Sequence, residues 1–233
     1  TTRAAGTGPR TSVCPVSTRW STVVASTRSS ATGALWWPDQ QGLVVADVHF
    51  GKAASFRRHG VPVPRGTTGQ TLQQLTERVA FYGARQIFFL GDFLHSARGR
   101  APATLKALLD WRHAHPDLAL TLVRGNHDHR AGDPPSELGM TVVDEPLHLG
   151  PLALCHHPAA APGAYVLAGH WHPCVSLQGH ARDRLRLPCF WLGAEVGILP
   201  AFGSFTGMHP IAPRPGDRVY AVAGDVVRPL GTR

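Results

Sequence analysis

Five short apolar runs in this chain each stop at a cluster of Asp, Asn and His. Leu43–Ala46 runs into Asp47-Val48-His49, Ile87–Leu90 into Gly91-Asp92, and Leu120–Val123, through Arg124, into Gly125-Asn126-His127-Asp128. Leu152–Cys155 leads to His156-His157, and Tyr165–Ala168 to Gly169-His170-Trp171-His172. In open α/β sheets, ligands bind beyond the carboxyl ends of the strands, where loops converge. Five clusters so placed can meet at one point, although each alone is an ordinary turn or a pair of surface histidines. Residues i and i+2 of extended backbone point to the same side. Asp47 with His49, and His170 with His172, are therefore each expected to reach a common centre.

The side-chain types define the chemistry. Carboxylate, amide and imidazole ligands without thiolates suit Mn²⁺, Fe²⁺ or Zn²⁺ with open positions, whereas structural zinc wants four closed ligands, often Cys. The four cysteines, Cys14, Cys155, Cys174 and Cys189, form no Cys-x-x-Cys pair and read as reduced thiols. Seven candidates (Asp47, His49, Asp92, Asn126, His156, His170 and His172) are too many for one ion and appropriate for two. Asp92, with two carboxylate oxygens, is the expected bridge. Two cations about 3.5–4 Å apart can clamp both oxygens of an in-line displacement at phosphorus.

Between the clusters lie two amphipathic helices. Leu72, Leu75 and Val79 mark the first, with Thr67 or Thr68 as its expected cap, and Leu105, Leu108 and Leu109 mark the second, ended by Pro116. Strands are expected at Leu43–Ala46, Gln86–Leu90 and Leu118–Val123, in right-handed βαβ units around a largely parallel sheet. After Gly132 the pattern turns to short strands: Met140–Val143, Leu152–Cys155, Tyr165–Ala168, Arg184–Leu187 and Val219–Ala223. These are expected to form another sheet on the first. The fold class is thus α/β, a two-sheet sandwich flanked by helices (α-β-β-α), in a single domain over residues 34–233.

Residues 1–33 are rich in Ser, Thr and Arg and contain no Asp or Glu. They resemble a transit peptide, and a fragment, tag remnant or misplaced start reads the same way. Weak order is expected there, apart from a short strand at Thr22–Ala25. The net charge of +8, carried almost wholly by arginine, attracts phosphate-bearing partners such as nucleic acid, although solvated arginines from a GC-rich genome would give the same balance. No apolar run approaches the roughly 18–20 residues of a membrane span, and a cytoplasmic location is expected.

Asp47-x-His49, Gly91-Asp92, Gly125-Asn126-His127-Asp128, His156 and Gly169-His170-x-His172 resemble the five motifs of the calcineurin-like metallophosphoesterase superfamily. The stretches ADVHFGKAASFRRHGVPVPRGTT, FLGDFLH, GAYVLAGHWHP and LPCFWLG resemble, more narrowly, the bacterial ligase-associated DNA-damage-response endonucleases. The resemblance runs from about Ala34 to the C-terminus. It implies one metal held by Asp47, His49, Asp92 and His172 and another by Asp92, Asn126, His156 and His170. It assigns His127 to the scissile phosphate and Asp128 to orienting the His127 imidazole. Two divalent ions, Mn²⁺ foremost, DNA as partner, and repair ligases or helicases as further partners belong to the same implication. Two points depart from the family's pattern: His95 stands where many members carry a second Asp, and His157 is an alternative to His156.

Arg57, Arg58, Arg65, Arg98, Arg100 and Arg130 follow the clusters and border the expected site, where they can meet phosphates or simply solvent. Trp171 can stack on a base or pack. Three functions remain in view: a DNA endonuclease or phosphodiesterase, a phosphodiesterase or phosphatase for a nucleotide or lipid-head pyrophosphate, and a non-catalytic binding protein.

Overall fold

The computed structural model describes residues 33–64, 66–97, 100–178, 184–224 and 226–231. The strand expected at Thr22–Ala25, nearly all of the Ser/Thr/Arg-rich segment, Arg65 and Arg98 lie outside the described residues. The first sheet holds β1 (Leu35–Trp37), β2 (Gly42–Ala46), β3 (Gln86–Leu90), β4 (Ala119–Val123) and β5 (Thr141–Val143), side by side in that order. β2 to β5 run parallel and β1 is an antiparallel edge. Parallel neighbours need crossovers. α1 (Lys52–Arg58) and α2 (Thr67–Tyr82) link β2 to β3, α3 (Pro102–Ala114) links β3 to β4, and α4 (Asn126–Ala131) lies between β4 and β5.

The helices begin and end for local reasons. α3 opens on Pro102, whose fixed φ suits the first helical turn, and stops at Ala114, two residues short of Pro116. The threonine cap expected for α2 is replaced by Gly66, which holds the N-cap at φ 89 without a side-chain bond. A β-branched threonine is strained in that left-handed conformation, so Thr67 starts the helix, and its carbonyl accepts from the Thr71 hydroxyl at 3.0 Å.

The second sheet holds β6 (Leu147–Leu149), β7 (Leu152–Leu154), β8 (Tyr165–Ala168), β9 (Pro173–Gln178), β10 (Arg184–Leu192), β11 (Val196–Ile198), β12 (His209–Pro210), β13 (Arg218–Ala223) and β14 (Val226–Leu230). Its order is β12-β9-β10-β11-β8-β7-β6, with β13 on β10 and β14 on β13. β10 outruns the expected Arg184–Leu187 because its first half pairs with β9 and its second with β13. The strand expected at Met140–Val143 does not join this sheet. It follows the crossover through α4 and pairs parallel with β4 as an edge of the first sheet.

Strand alternation partitions the core. Val44 and Ala46 of β2, with Phe88, Leu90 and Val123, face Leu152, Leu154, Tyr165, Leu167 and Phe190 of the second sheet. Leu43 and Val45, with Ile87, Phe89, Leu120 and Leu122, pack instead on Leu72 and Leu75 of α2 and Leu108 of α3. The outer face of the second sheet carries two smaller clusters, around Ala153 and Val166 and around Val175 and Val219. Cys155, Cys174 and Cys189 are buried free thiols, and burial pushes Cys155 up to about 11 and Cys189 up to about 12. They are inert packing residues. Among the described residues no helix is long and apolar enough to cross a membrane.

One segment ties the sheets together at their carboxyl ends. The Leu199 amide donates to the carbonyl of Ala168, the last residue of β8, and the Phe202 amide to that of Ala46, the last residue of β2, each at 2.8 Å. Phe89, 1% exposed under the helices, tests how much this packing contributes. Phe89→Ala should lower the unfolding free energy by about 3–5 kcal/mol in urea titration at unchanged m; a loss below about 1 kcal/mol would show that the helical layer contributes little.

Candidate metal centre

All seven candidate ligands leave the carboxyl ends of β2, β3, β4, β7 and β8 or the turns that follow them, and the fold brings them into one cluster. The local geometry differs from the expected strand alternation. Asp47 (φ 53), His49 (φ 47), Asp92 (φ 52), His170 (φ 70) and His172 (φ 48) all hold left-handed backbone. Asp47 and His49 therefore meet through a kinked turn rather than by i, i+2 extension, and His170 and His172 likewise. Such residues cost about 1–3 kcal/mol each and persist only where the surroundings over-determine them. The crowding is severe: a Cβ on Gly169 would stand 2.6 Å from Asp47 Oδ2, and one on Gly91 would fall on the His156 ring. Only glycine lets these turns close over the carboxylates.

Hydrogen bonding settles which imidazole atom faces inward. His156 Nδ1 donates to the Leu90 carbonyl at 3.0 Å, His172 Nδ1 to that of Gly207 at 3.0 Å, and His127 Nδ1 to that of His95 at 2.6 Å. In each ring the Nε2 lone pair is then left for the centre. His156 Nε2 lies 2.9 Å from Asn126 Oδ1 and 3.5 Å from Asp92 Oδ1. His172 Nε2 lies 3.5 Å from Asp47 Oδ1, and His49 Nε2 lies 3.7 Å from Asp92 Oδ2. His170 Nδ1 completes one side, 3.0 Å from His156 Nε2. Asp92 thus turns one oxygen to His156 and the His127 amide and the other to His49.

Burial makes this arrangement costly without a cation. Asp47 and His156 are fully buried, and Asp92 is nearly so. Asp47 Oδ2 accepts the His170 amide at 2.9 Å, but Oδ1 has no hydrogen-bond partner, nor does His49 Nδ1. Burial, reinforced by Lys52, drives the His49 pKa far down, and burial with His156 and His157 lowers that of His170. Both rings are held neutral and offer lone pairs. Acceptors facing acceptors in a dry site cost several kcal/mol unless something positive sits among them. The donor set fits divalent cations.

His156 is buried within the cluster, whereas His157 stands at its edge beside His156 and His170. The His157 side chain is 44% exposed, and its Nδ1 is spent on Glu145 at 2.5 Å. Glu145 also accepts the His156 and His157 amides, at 2.7 and 2.9 Å, so it holds the whole turn. His95 is not a lone surface histidine: its ring stacks on His127, centroids 5.1 Å apart and 22° between planes. The expected contact between Asp128 and the His127 ring is absent. Asp128 accepts the amides of Gly125, Phe93 and Leu94 at 2.9, 3.0 and 3.2 Å. Its carboxylate closes the first turn of α4 and pins the loop after Asp92, and the His95 carbonyl orients His127 instead.

The arginines divide. Arg57 donates to the Val63 and Pro64 carbonyls and Arg100 to that of Asp133, so both brace loops; Arg58 and Arg130 are exposed. Sequence reasoning missed Glu145, Lys52, whose charge reaches Asp47 and Asp92, and Arg124, which pairs with Asp133 and Asp144 at 2.7–2.8 Å. Arg124 lay in plain view before Gly125, but nothing marked its partners.

These features define the class: an α/β protein of two facing sheets with a buried His- and Asp-rich cluster that could hold cations where their strand ends meet. The chain belongs to the family of the Pseudomonas putida nuclease MPE, whose crystal structure it matches at 47% identity and a TM-score of 0.75, over 85% of this chain and 92% of that one. Two more distant structures also match. They are the protein of unknown function AQ665 from Aquifex aeolicus (19% identity, 56% and 78% covered, TM-score 0.40) and the phosphoesterase Yfce from E. coli (18%, 77% and 86%, 0.36). No family model and no curated protein matches the chain.

Glu145 provides a check on the turn it holds. Burial raises its pKa, but His157 and the two amides outweigh burial and hold it below the ordinary 4.5. A lowered carboxylate contributes stability that is present above the unfolded value and lost as pH falls through the folded one. In EDTA-treated protein the urea midpoint of wild type should exceed that of Glu145→Gln at neutral pH, and the gap should close below 4.5. A gap that ignores pH would mean the carboxylate does not hold the turn.

Proposed function

We propose that this protein is a two-metal phosphodiesterase of the calcineurin-like metallophosphoesterase superfamily that cuts DNA. One arrangement carries the reading: imidazole Nε2 atoms, an amide oxygen and two buried carboxylates converge with their lone pairs facing one another. Asp47, His49, Asp92 and His172 would hold one cation and Asp92, Asn126, His156 and His170 the other. The absence of thiolates suits Mn²⁺, with Fe²⁺ or Zn²⁺ as alternatives. When bound, such a pair supplies Lewis acidity at the phosphoryl oxygens and a water acidified toward neutrality.

The chain's own groups do the rest. His127 Nε2 stands 3.9 Å from Asp92 Oδ2 and in this reading would face a phosphate held beside that carboxylate. When the ring carries a second proton, on Nε2, it can donate to a phosphoryl oxygen or give that proton to the leaving oxygen, while Nδ1–H stays on the His95 carbonyl. The His95 carbonyl and ring hold that imidazole in place, and Lys52 adds positive charge beside Asp47 and Asp92. DNA is favoured by the net charge of +8 and by kinship with a nuclease. A place in DNA repair, beside ligase or helicase partners in the cytoplasm, is the finer part of the same proposal.

The test is hydrolysis of monoester, diester, single-stranded and duplex DNA by metal-reconstituted protein. Asp92→Asn should abolish turnover and weaken metal binding. His127→Ala should lower kcat by about 10²–10⁴ and leave metal content intact; loss of metal in that variant would overturn the role given to His127. DNA affinity should fall steeply with salt, and salt-insensitive binding would point to a small substrate.

A further inference from the structure

Trp171 lies between His170 and His172, yet its side chain turns out of the centre and is 42% exposed. It is not a stray surface residue. Its ring stacks on Trp191, centroids 5.9 Å apart and 29° between planes, and stands 6.2 Å from the His209 ring. Both indoles are rigidly mounted. The Trp171 amide donates to the Gly169 carbonyl at 2.8 Å, and the left-handed residues on either side fix its turn. Trp191 belongs to β10, and its Nε1 donates to Asp217 Oδ2 at 2.8 Å. The neighbouring loop is bound to the same turn, through His172 Nδ1 to the Gly207 carbonyl and the His209 amide to the His172 carbonyl, each at 3.0 Å. That loop also exposes Phe205, at φ 60, and Met208.

We propose that the Trp171–Trp191 stack is a docking platform for an unpaired nucleobase next to the phosphate held at the metal centre. This rests on the reading of the centre as a phosphodiesterase site. A rigid aromatic face loses little conformational freedom on contact, and it accepts any base because every base has a π-face. Continuity points to the occupant: the ring is mounted on the turn that carries two candidate ligands, so a flat group joined to a phosphate held at the centre is what this turn would offer it. In a basic chain of net charge +8, a flat ring linked to a phosphodiester matches both features. A base inside a duplex presents only its edges to a protein, so the platform engages a base that is unstacked.

The experiment compares a single-stranded oligonucleotide with the same strand carrying abasic sites on both sides of the scissile phosphate, using Mn²⁺-loaded full-length protein. Wild type should cleave the base-bearing strand with kcat/KM higher by about tenfold, the scale of one stacked base. Trp171→Ala should bring that ratio to one, and Trp171→Phe should keep most of it. Because the ratio is taken within each variant, general damage to the centre cancels. A wild type indifferent to the abasic sites, or an unchanged ratio in Trp171→Ala, overturns the platform and leaves the phosphodiesterase reading standing. Failure of wild type to hydrolyse any phosphodiester overturns both.

Discussion

Asp92 stands where the carboxyl ends of the two sheets meet, and the surrounding structure is organised around its buried charge. One oxygen faces His156 and accepts the His127 amide, and the other faces His49. A carboxylate in so dry a place is sustained by hydrogen bonds and by whatever cation the neighbouring lone pairs share with it. The segment from Leu199 to Gly203, which ties β8 to β2 through backbone hydrogen bonds, holds the two halves of the ligand set at bonding distance. Fold and centre therefore depend on each other: the sandwich brings the ligands together, and the ligand turns close its end.

The price appears as strain. Five of the seven candidate ligands sit in left-handed backbone that side chains with a Cβ avoid. Around them, carbonyls of Leu90, Gly207 and His95 and the carboxylate of Glu145 take up imidazole and amide hydrogens. This outer layer orients the candidate ligands, and it comes from three separate stretches of chain. Trp171 extends the same logic outward, since the turn that aims two ligands inward also holds an indole against solvent.

Much of this was legible in the sequence because short buried strands leave a plain signature, an apolar run ended by polar residues. Runs such as Leu43–Ala46 and Tyr165–Ala168 placed Asp47 and His170 at strand ends, and the two periodic helices fell where Leu72 and Leu108 indicated. Position directly after the apolar run favoured His156, which is the fully buried one of the pair. Other readings failed for identifiable reasons. Asp128 follows His127 in sequence, but the first turn of α4 directs its carboxylate to three backbone amides. Met140–Val143 has the composition of any short edge strand, and nothing local reveals which sheet it joins.

The sequence by itself determined the kinds of ligand, their order and their placement at strand ends, because residue type and hydrophobic period are local properties of the chain. Only the tertiary structure decided which oxygen of Asp92 faces which histidine, that Glu145 and the Gly207 carbonyl steady the cluster, and that Trp171 lies on Trp191. Those pairings join residues apart in the chain, some through side chains that the fold alone brings together and some through backbone groups common to every residue, and neither kind of proximity leaves a mark in an amino-acid sequence.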